Sequence, residues 1–243
     1  MSTFSSGEPP AGESSSGFIA SNTGSFQGAP GGREVALRIQ PTVEGAYSHA
    51  WEILKTDFWS LLLIGFIAWL LGIAIESGLS RGGGGTGLLG SLYHVLIGGP
   101  INYGAAYAWL RAVRGEKPEV GDLFVPFQRH WVAAVIANLL VTIIIIVGLV
   151  LLIVPGIFLA VRLSFVPFLV VDEGKGPVDA LTESFSRTAG YGWTIFGAFL
   201  LGVLIIIVGF ILLIVGSIPA TMLVYLAFAS LYAAITARKS TAW

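Results

Sequence analysis

Few residues in this sequence are of types that do chemistry, and their surroundings narrow that chemistry further. Arg162 is the only charge between Trp131 and Val171, and it lies seven residues beyond Pro155. On a helix that is about 10 Å of travel at about 1.5 Å per residue. A cation inside so apolar a run is costly unless it pairs, lines an aqueous cavity, or reaches back to a polar surface. Glu76 and His94 fall at related depths on the preceding apolar segments and are its candidate partners, one acidic and one neutral or titrating. Arg162, Glu76 and His94 therefore make the candidate intramembrane polar site. It serves either as a structural tie between helices or as part of a pathway for an ion or an anionic headgroup.

The other motifs resolve into packing. Gly98, Gly99 and Pro100 form a candidate helix break, which either kinks a helix against its neighbours or exposes backbone at a binding site. Gly85–Gly90 satisfies GxGxxG, but that fingerprint needs a strand before it and a βαβ unit around it, so a glycine-rich loop is the expectation. Asp172, Glu173, Asp179 and Glu183 lack the spacing of a calcium loop and read as a solvated rim. Asn102 and Asn138 read as interhelical hydrogen-bonding groups. Two small-residue stripes, Gly104/Ala108/Ala112 and Ala229/Ala233/Ala237, read as close-packing faces. His49, His94 and His130 are far apart in the expected topology, and the chain has no cysteine. No nucleophile–base pair, metal-ligand set or cofactor motif can be assembled, so no catalytic, metal-binding or cofactor-binding residue is expected and no cofactor is implied.

What positions these residues is a membrane. The 243 residues are 55% hydrophobic and only 11% charged, with a mean hydropathy of +0.83. A soluble domain carries about 25% charged residues to keep its surface dispersed. The charges are also segregated, since none lies between Tyr191 and Ala237. Apolar runs of this length match a hydrocarbon core about 30 Å thick crossed by helices. A β-barrel would need alternation that Val141–Val154 does not show. The expected fold is all-α, a polytopic transmembrane helical bundle. A net charge of −1 without a basic patch gives no reason to expect nucleic acid.

Residues 1–32 hold 8 Ser, 7 Gly and 3 Pro, and residues 1–40 are expected to be a disordered cytoplasmic tail, with Glu34–Ile39 docking at most as an extended piece. The start lacks the basic-then-apolar pattern of a signal peptide, so the first apolar helix is expected to drive insertion. Residues 41–243 are expected to form the membrane domain. One pattern recurs there three times: a short amphipathic helix, an apolar helix opened by Trp59, Trp131 or Trp193, and a turn back. The amphipathic faces are Val43/Ala46/Ala50/Leu54, Leu123/Phe124/Phe127 and Val178/Leu181/Phe185, expected to lie apolar face down in the interface. Val147–Val154 also matches Val208–Val215 at six of eight positions, at an offset of 61. Six spans follow, roughly 58–79, 87–113, 131–154, 156–172, 191–215 and 218–237. They place 11 of the 13 Lys and Arg on one side, which the positive-inside rule makes cytoplasmic along with both termini.

Several of these residues carry a resemblance. Val154-Pro155-Gly156-Ile157, Val161-Arg162-Leu163-Ser164, Val170-Val171-Asp172-Glu173 and Ala180-Leu181-Thr182-Glu183-Ser184 are the core of it. Gly99-Pro100 with Gly104, Arg114-Gly115-Glu116 and Asp122-Leu123-Phe124 add to it. The chain from about residue 40 to 237 resembles a bacterial six-helix membrane-domain family. That family includes the membrane domain of glycerophosphoryl diester phosphodiesterases and uncharacterised membrane proteins of the YciC type. The resemblance implies a six-helix domain in a bacterial cytoplasmic membrane and no hydrolase activity, because the phosphodiesterase chemistry belongs to a separate domain whose His-Arg-Gly signature this chain lacks.

The leading functional expectation is a non-enzymatic integral membrane protein, a scaffold or envelope accessory. Its partners would be membrane lipids and a membrane protein or a second copy of itself. The alternatives are a small transporter or lipid-handling protein built on Arg162, and a membrane-embedded enzyme.

Overall fold

The computed structural model describes residues 30–80, 94–212 and 217–239, with side chains described throughout these except at 30–33, 72–80, 94, 211, 212 and 217. Every element among them is helical. Ten α-helices are α1 (Pro30–Arg38), α2 (Val43–Thr56), α3 (Phe58–Ser80), α4 (Gly99–Val113), α5 (Trp131–Leu151), α6 (Ile153–Leu163), α7 (Val166–Glu173), α8 (Pro177–Thr188), α9 (Gly192–Leu212) and α10 (Ser217–Lys239). A π-helical turn, His94–Gly98, leads into α4, and a 3-10 turn (Val120–Phe124) and a second π turn (Pro126–His130) lead into α5. Four stretches are long and apolar enough to cross a membrane: Val120–Leu151, Ile153–Glu173, Gly192–Phe210 and Ile218–Lys239. The pair Val43–Thr56 and Phe58–Leu71, bent by 99°, makes a fifth if it counts as one span. The chain is an all-α membrane protein.

Local chemistry sets the boundaries. Thr42 caps α2, its hydroxyl accepting from the Gly45 N–H at 3.1 Å in an extended N-cap geometry. Pro177, preceded by extended Gly176, opens α8, where its missing N–H leaves no bond unmade. Gly174, at φ 62, ends α7 in the left-handed region that glycine enters without penalty. Between α5 and α6 the chain reverses at Leu152 alone, extended at φ −165 and ψ 140. Pro155 is tolerated because it sits in the first turn of α6. The reversal is tight because Gly148 and Gly156 meet: a Cβ on Gly148 would come within 3.0 Å of the Gly156 Cα.

The core centres on α10. Leu226, Ala227, Ala229, Leu231, Tyr232, Ala233, Ala234 and Ile235 are all buried, so the second half of this helix is apolar on most of its circumference because neighbours enclose it, while Tyr225 stays exposed. α1, α2, α4 and α9 pack on it. Both small-residue stripes are buried within the chain. Gly104 takes the closest approach, for a Cβ there would collide with the Leu123 carbonyl of the 3-10 turn.

The structure differs from the sequence expectations at several points. Glu34–Ile39 is not an extended piece: Pro30–Arg38 is helical, with Ala36 and Ile39 buried and the helix packed on α10. The apolar face of α2 does not face lipid. Ala46, Ala50 and Leu54 are buried against α10, and the Tyr47 hydroxyl donates to the Ala198 carbonyl of α9 at 2.8 Å. On α8 the buried face is Ala180, Ser184 and Thr188, while Val178 of the expected apolar face is 65% exposed. Small side chains win that interface because they let α8 approach α5, α6 and α7 closely.

Candidate functional site

Arg162 lies on the last turn of α6 and turns toward α8. One Nη donates to the Phe185 carbonyl at 3.4 Å, and the guanidinium carbon sits 5.0 Å from the centroid of the Phe158 ring, one turn earlier. Its own carbonyl accepts from the Ser184 hydroxyl at 2.7 Å and the Thr188 hydroxyl at 3.4 Å. Backbone and side chain of Arg162 are thus both joined to the last turn of α8, whose carbonyl end favours a cation. The Nε is buried and finds no acceptor among the described residues. The side chains of Glu76 and His94 lie outside the described residues, as does Gly85–Gly90.

Gly98, Gly99 and Pro100 do not break the helix. The backbone stays helical from His94 to Val113, changing from π to α at Gly99, with Gly98 at φ −61 and ψ −42. Proline at 100 removes the N–H that would bond the carbonyl four residues earlier, that of Leu96. The Trp131 indole N–H donates to the Leu96 carbonyl at 3.0 Å. Asn138 closes the other side, so near that a Cβ on Gly99 would come within 2.8 Å of its amide nitrogen. A wide helical turn and a neighbouring indole accommodate the proline, and no unwound segment is left to coordinate a ligand.

Of the four acidic residues expected on a solvated rim, Asp179 is exposed, while Asp172, Glu173 and Glu183 form the larger constellation instead. Asp172 is only 3% exposed. Arg114, the residue just past α4, clamps it bidentately at 2.5 and 2.7 Å. The Tyr232 hydroxyl of α10 is within 3.1 Å of Asp172 and 3.2 Å of Glu173. Arg187 of α8 grips both oxygens of Glu173, reaches Glu183 at 2.8 Å and donates to the Thr236 hydroxyl at 3.1 Å. Lys175 bridges Glu173 and Glu183 at 3.5 and 3.6 Å. Three cations thus meet three anions where α4, α7, α8 and α10 converge. Burial alone would lower the Arg114 and Arg187 pKa values, yet the bound carboxylates outweigh it and raise both. Glu183 is the mirror case: burial would raise its pKa, but Arg187 and Lys175 hold it below the usual carboxylate value. A smaller cluster joins Arg111 to Asp122 at 2.7 Å and to Glu116 at 3.1 Å.

This balanced network is suited to holding helices in register. It offers no unpaired base beside a nucleophile. Among the described residues, no group of three or more His, Asp or Glu is placed to hold a metal ion.

Residues 119–241, just over half of the chain, match a family described as Domain of unknown function (DUF7847). No curated protein and no solved structure matches the chain. The match runs from the 3-10 turn through α10 and takes in Asp172, Glu173, Arg187 and Tyr232, leaving Arg114 just before it. The chain belongs to the DUF7847 family.

Proposed function

We propose that this protein is a multi-pass integral protein of a bacterial cytoplasmic membrane, with six spans and both termini in the cytoplasm, that acts as a non-enzymatic scaffold or accessory. The observation that carries this reading is the use made of the ionised groups. Arg114, Asp172, Glu173, Arg187, Glu183 and Lys175 bind one another where α4, α7 and α8 meet. Groups held this way fix geometry rather than react. The resemblance to the membrane domain of glycerophosphoryl diester phosphodiesterases supports the same reading, since their chemistry lies in a separate domain.

A strain lacking the gene and complemented with variants gives the test. Replacing the Arg114–Asp172 pair jointly by Met and Leu keeps the volume and removes the charge. A scaffold should tolerate that exchange, with complementation retained and the same neighbours crosslinked in the membrane. A variant that folds to wild-type levels yet fails to complement would sink the scaffold reading in favour of chemistry at the pair.

Transport is the second reading, and Arg162 favours it as a cation with no carboxylate partner among the described residues. The closed packing at Gly98–Pro100 weighs against it, leaving the internal repeat beside Arg162 as its support.

A further inference from the structure

The other arginines with ion pairs frame what Arg162 lacks. Arg111, Arg114 and Arg187 each grip one or two carboxylates. Arg162 has a 3.4 Å bond to a carbonyl, the face of Phe158, and a buried Nε without an acceptor among the described residues. A guanidinium offers five N–H donors in a planar fork suited to phosphate oxygens, so most of its capacity is unused. A second cation reaches the same turn of α8. Lys239, at the end of α10, donates to the Ser186 carbonyl at 2.5 Å, and Ser186 follows Phe185 directly. Neither Arg162 nor Lys239 has a carboxylate partner among the described residues. Two cations on adjacent carbonyls, neither paired with a carboxylate among the described residues, concentrate positive charge at this turn.

An apolar track leads away from it. Phe158 and Val154 stand four and eight residues before Arg162, on one face of the helix. They are 52% and 78% exposed, and the track continues into exposed Ile153 and Leu152. On α8, exposed Val178 lies on the face shared with half-buried Leu181 and Phe185. A positive head with an exposed apolar run behind it has the shape of an amphiphile's complement.

We propose that Arg162, assisted by Lys239, binds the phosphate of an anionic phospholipid at the seam of α6 and α8, with an acyl chain along Phe158 and Val154. A free phosphate would use the cations but not the track. A second protein copy would use the track without needing the two cations.

The test uses the full chain, purified in detergent, delipidated and offered phosphatidylglycerol or phosphatidylcholine of matched chains, with bound lipid counted by native mass spectrometry. The wild-type chain should retain phosphatidylglycerol about tenfold better, a difference of about 1.4 kcal/mol. Arg162→Gln should erase that preference, Lys239→Gln should reduce it, and Phe158→Ala should weaken retention of both lipids. Equal retention of the two lipids by the wild type overturns the proposal. So does an intact preference in folded Arg162→Gln, or displacement of the lipid by millimolar inorganic phosphate. If Arg162→Gln does not fold, Arg162→Lys and Lys239→Gln decide, and an unchanged preference in both overturns it.

Discussion

A carboxylate taken out of water must be matched or it destabilises the state that buries it, and Asp172 is matched three ways. Arg114 supplies two charge-assisted bonds and Tyr232 a third, with stacked Phe168 5.1 Å from the Tyr232 ring and Phe165 edge-on at 5.5 Å. Removing one member strands the other: Arg114→Met or Asp172→Leu alone should each cost about 3–5 kcal/mol, and the double exchange much less. Thermal unfolding in detergent would show whether the two singles share this non-additive pattern. Additive losses would mean the pair is not the unit it looks to be. Glu183 gives the network a pH signature. Its folded pKa is held below its unfolded value of 4.5, mainly by Arg187 once burial is overcome. Its stabilising contribution is therefore complete above pH 4.5 and lost as pH falls through the lower folded value. Glu183→Gln should flatten that part of the acid limb of the melting-temperature profile and leave the neutral-to-alkaline part parallel to wild type. An acid limb of unchanged slope would assign the loss to other carboxylates.

At the scale of elements, close backbone approach does what side-chain bulk does elsewhere. Gly104 lets the 3-10 turn lie directly on α4, so Gly104→Ala must push Leu123 away. Overpacking of this kind costs about 1–3 kcal/mol, and here it should also loosen the Arg111–Asp122 contact that the same turn presents. Faster amide exchange across residues 119–125 in the variant is the expected signature. Unaltered protection there would show that the turn adapts. Much of this scale was legible in advance. Trp59, Trp131 and Trp193 marked where apolar helices open, and Val147–Val154 against Val208–Val215 anticipated a repeat. The structure starts α5 at Trp131 and α9 at Gly192, the same offset of 61. The site was less legible. The i,i+4 spacing of Glu183 and Arg187 was readable as a helical pair, but Arg114 meets Asp172 across 58 residues, a contact made only when α4 and α7 come together. The acidic cluster therefore read as a rim, because local sequence does not reveal the arginine brought from elsewhere. The face of α8 was misread for a related reason: hydrophobicity marks Val178, whereas the packing selects Ala180, Ser184 and Thr188 for size.

For the whole molecule, the arrangement of aromatic and basic residues bears on how the bundle sits in a bilayer. Trp59, Trp131 and Trp193 stand at the first or second residue of α3, α5 and α9, and the two outer ones are 79% and 87% exposed. Exposed indoles at helix ends suit the headgroup region, where the ring is half in hydrocarbon and its N–H can stay bonded. Arg114, Lys175, Arg187 and Lys239 gather at the ends of α4, α7, α8 and α10, in the segments that six spans place on the cytoplasmic side. Four helical stretches meet the length and hydropathy of a span, and the bent pair α2–α3 makes a fifth if it counts as one span. The sixth depends on the segment ending in α4, whose aromatic and small residues serve packing against α10 more than contact with lipid. Labelling decides it. The chain has no cysteine, so Ser80→Cys and Ser240→Cys can each be probed with a membrane-impermeant maleimide in intact cells and in inverted vesicles. With six spans, Ser80 labels only from outside the cytoplasm and Ser240 only from within. If both label from the same side, one of the five segments after Ser80 does not cross, the segment ending in α4 first among them, and the positive-inside assignment of the N-terminal half has to be redrawn around a re-entrant hairpin.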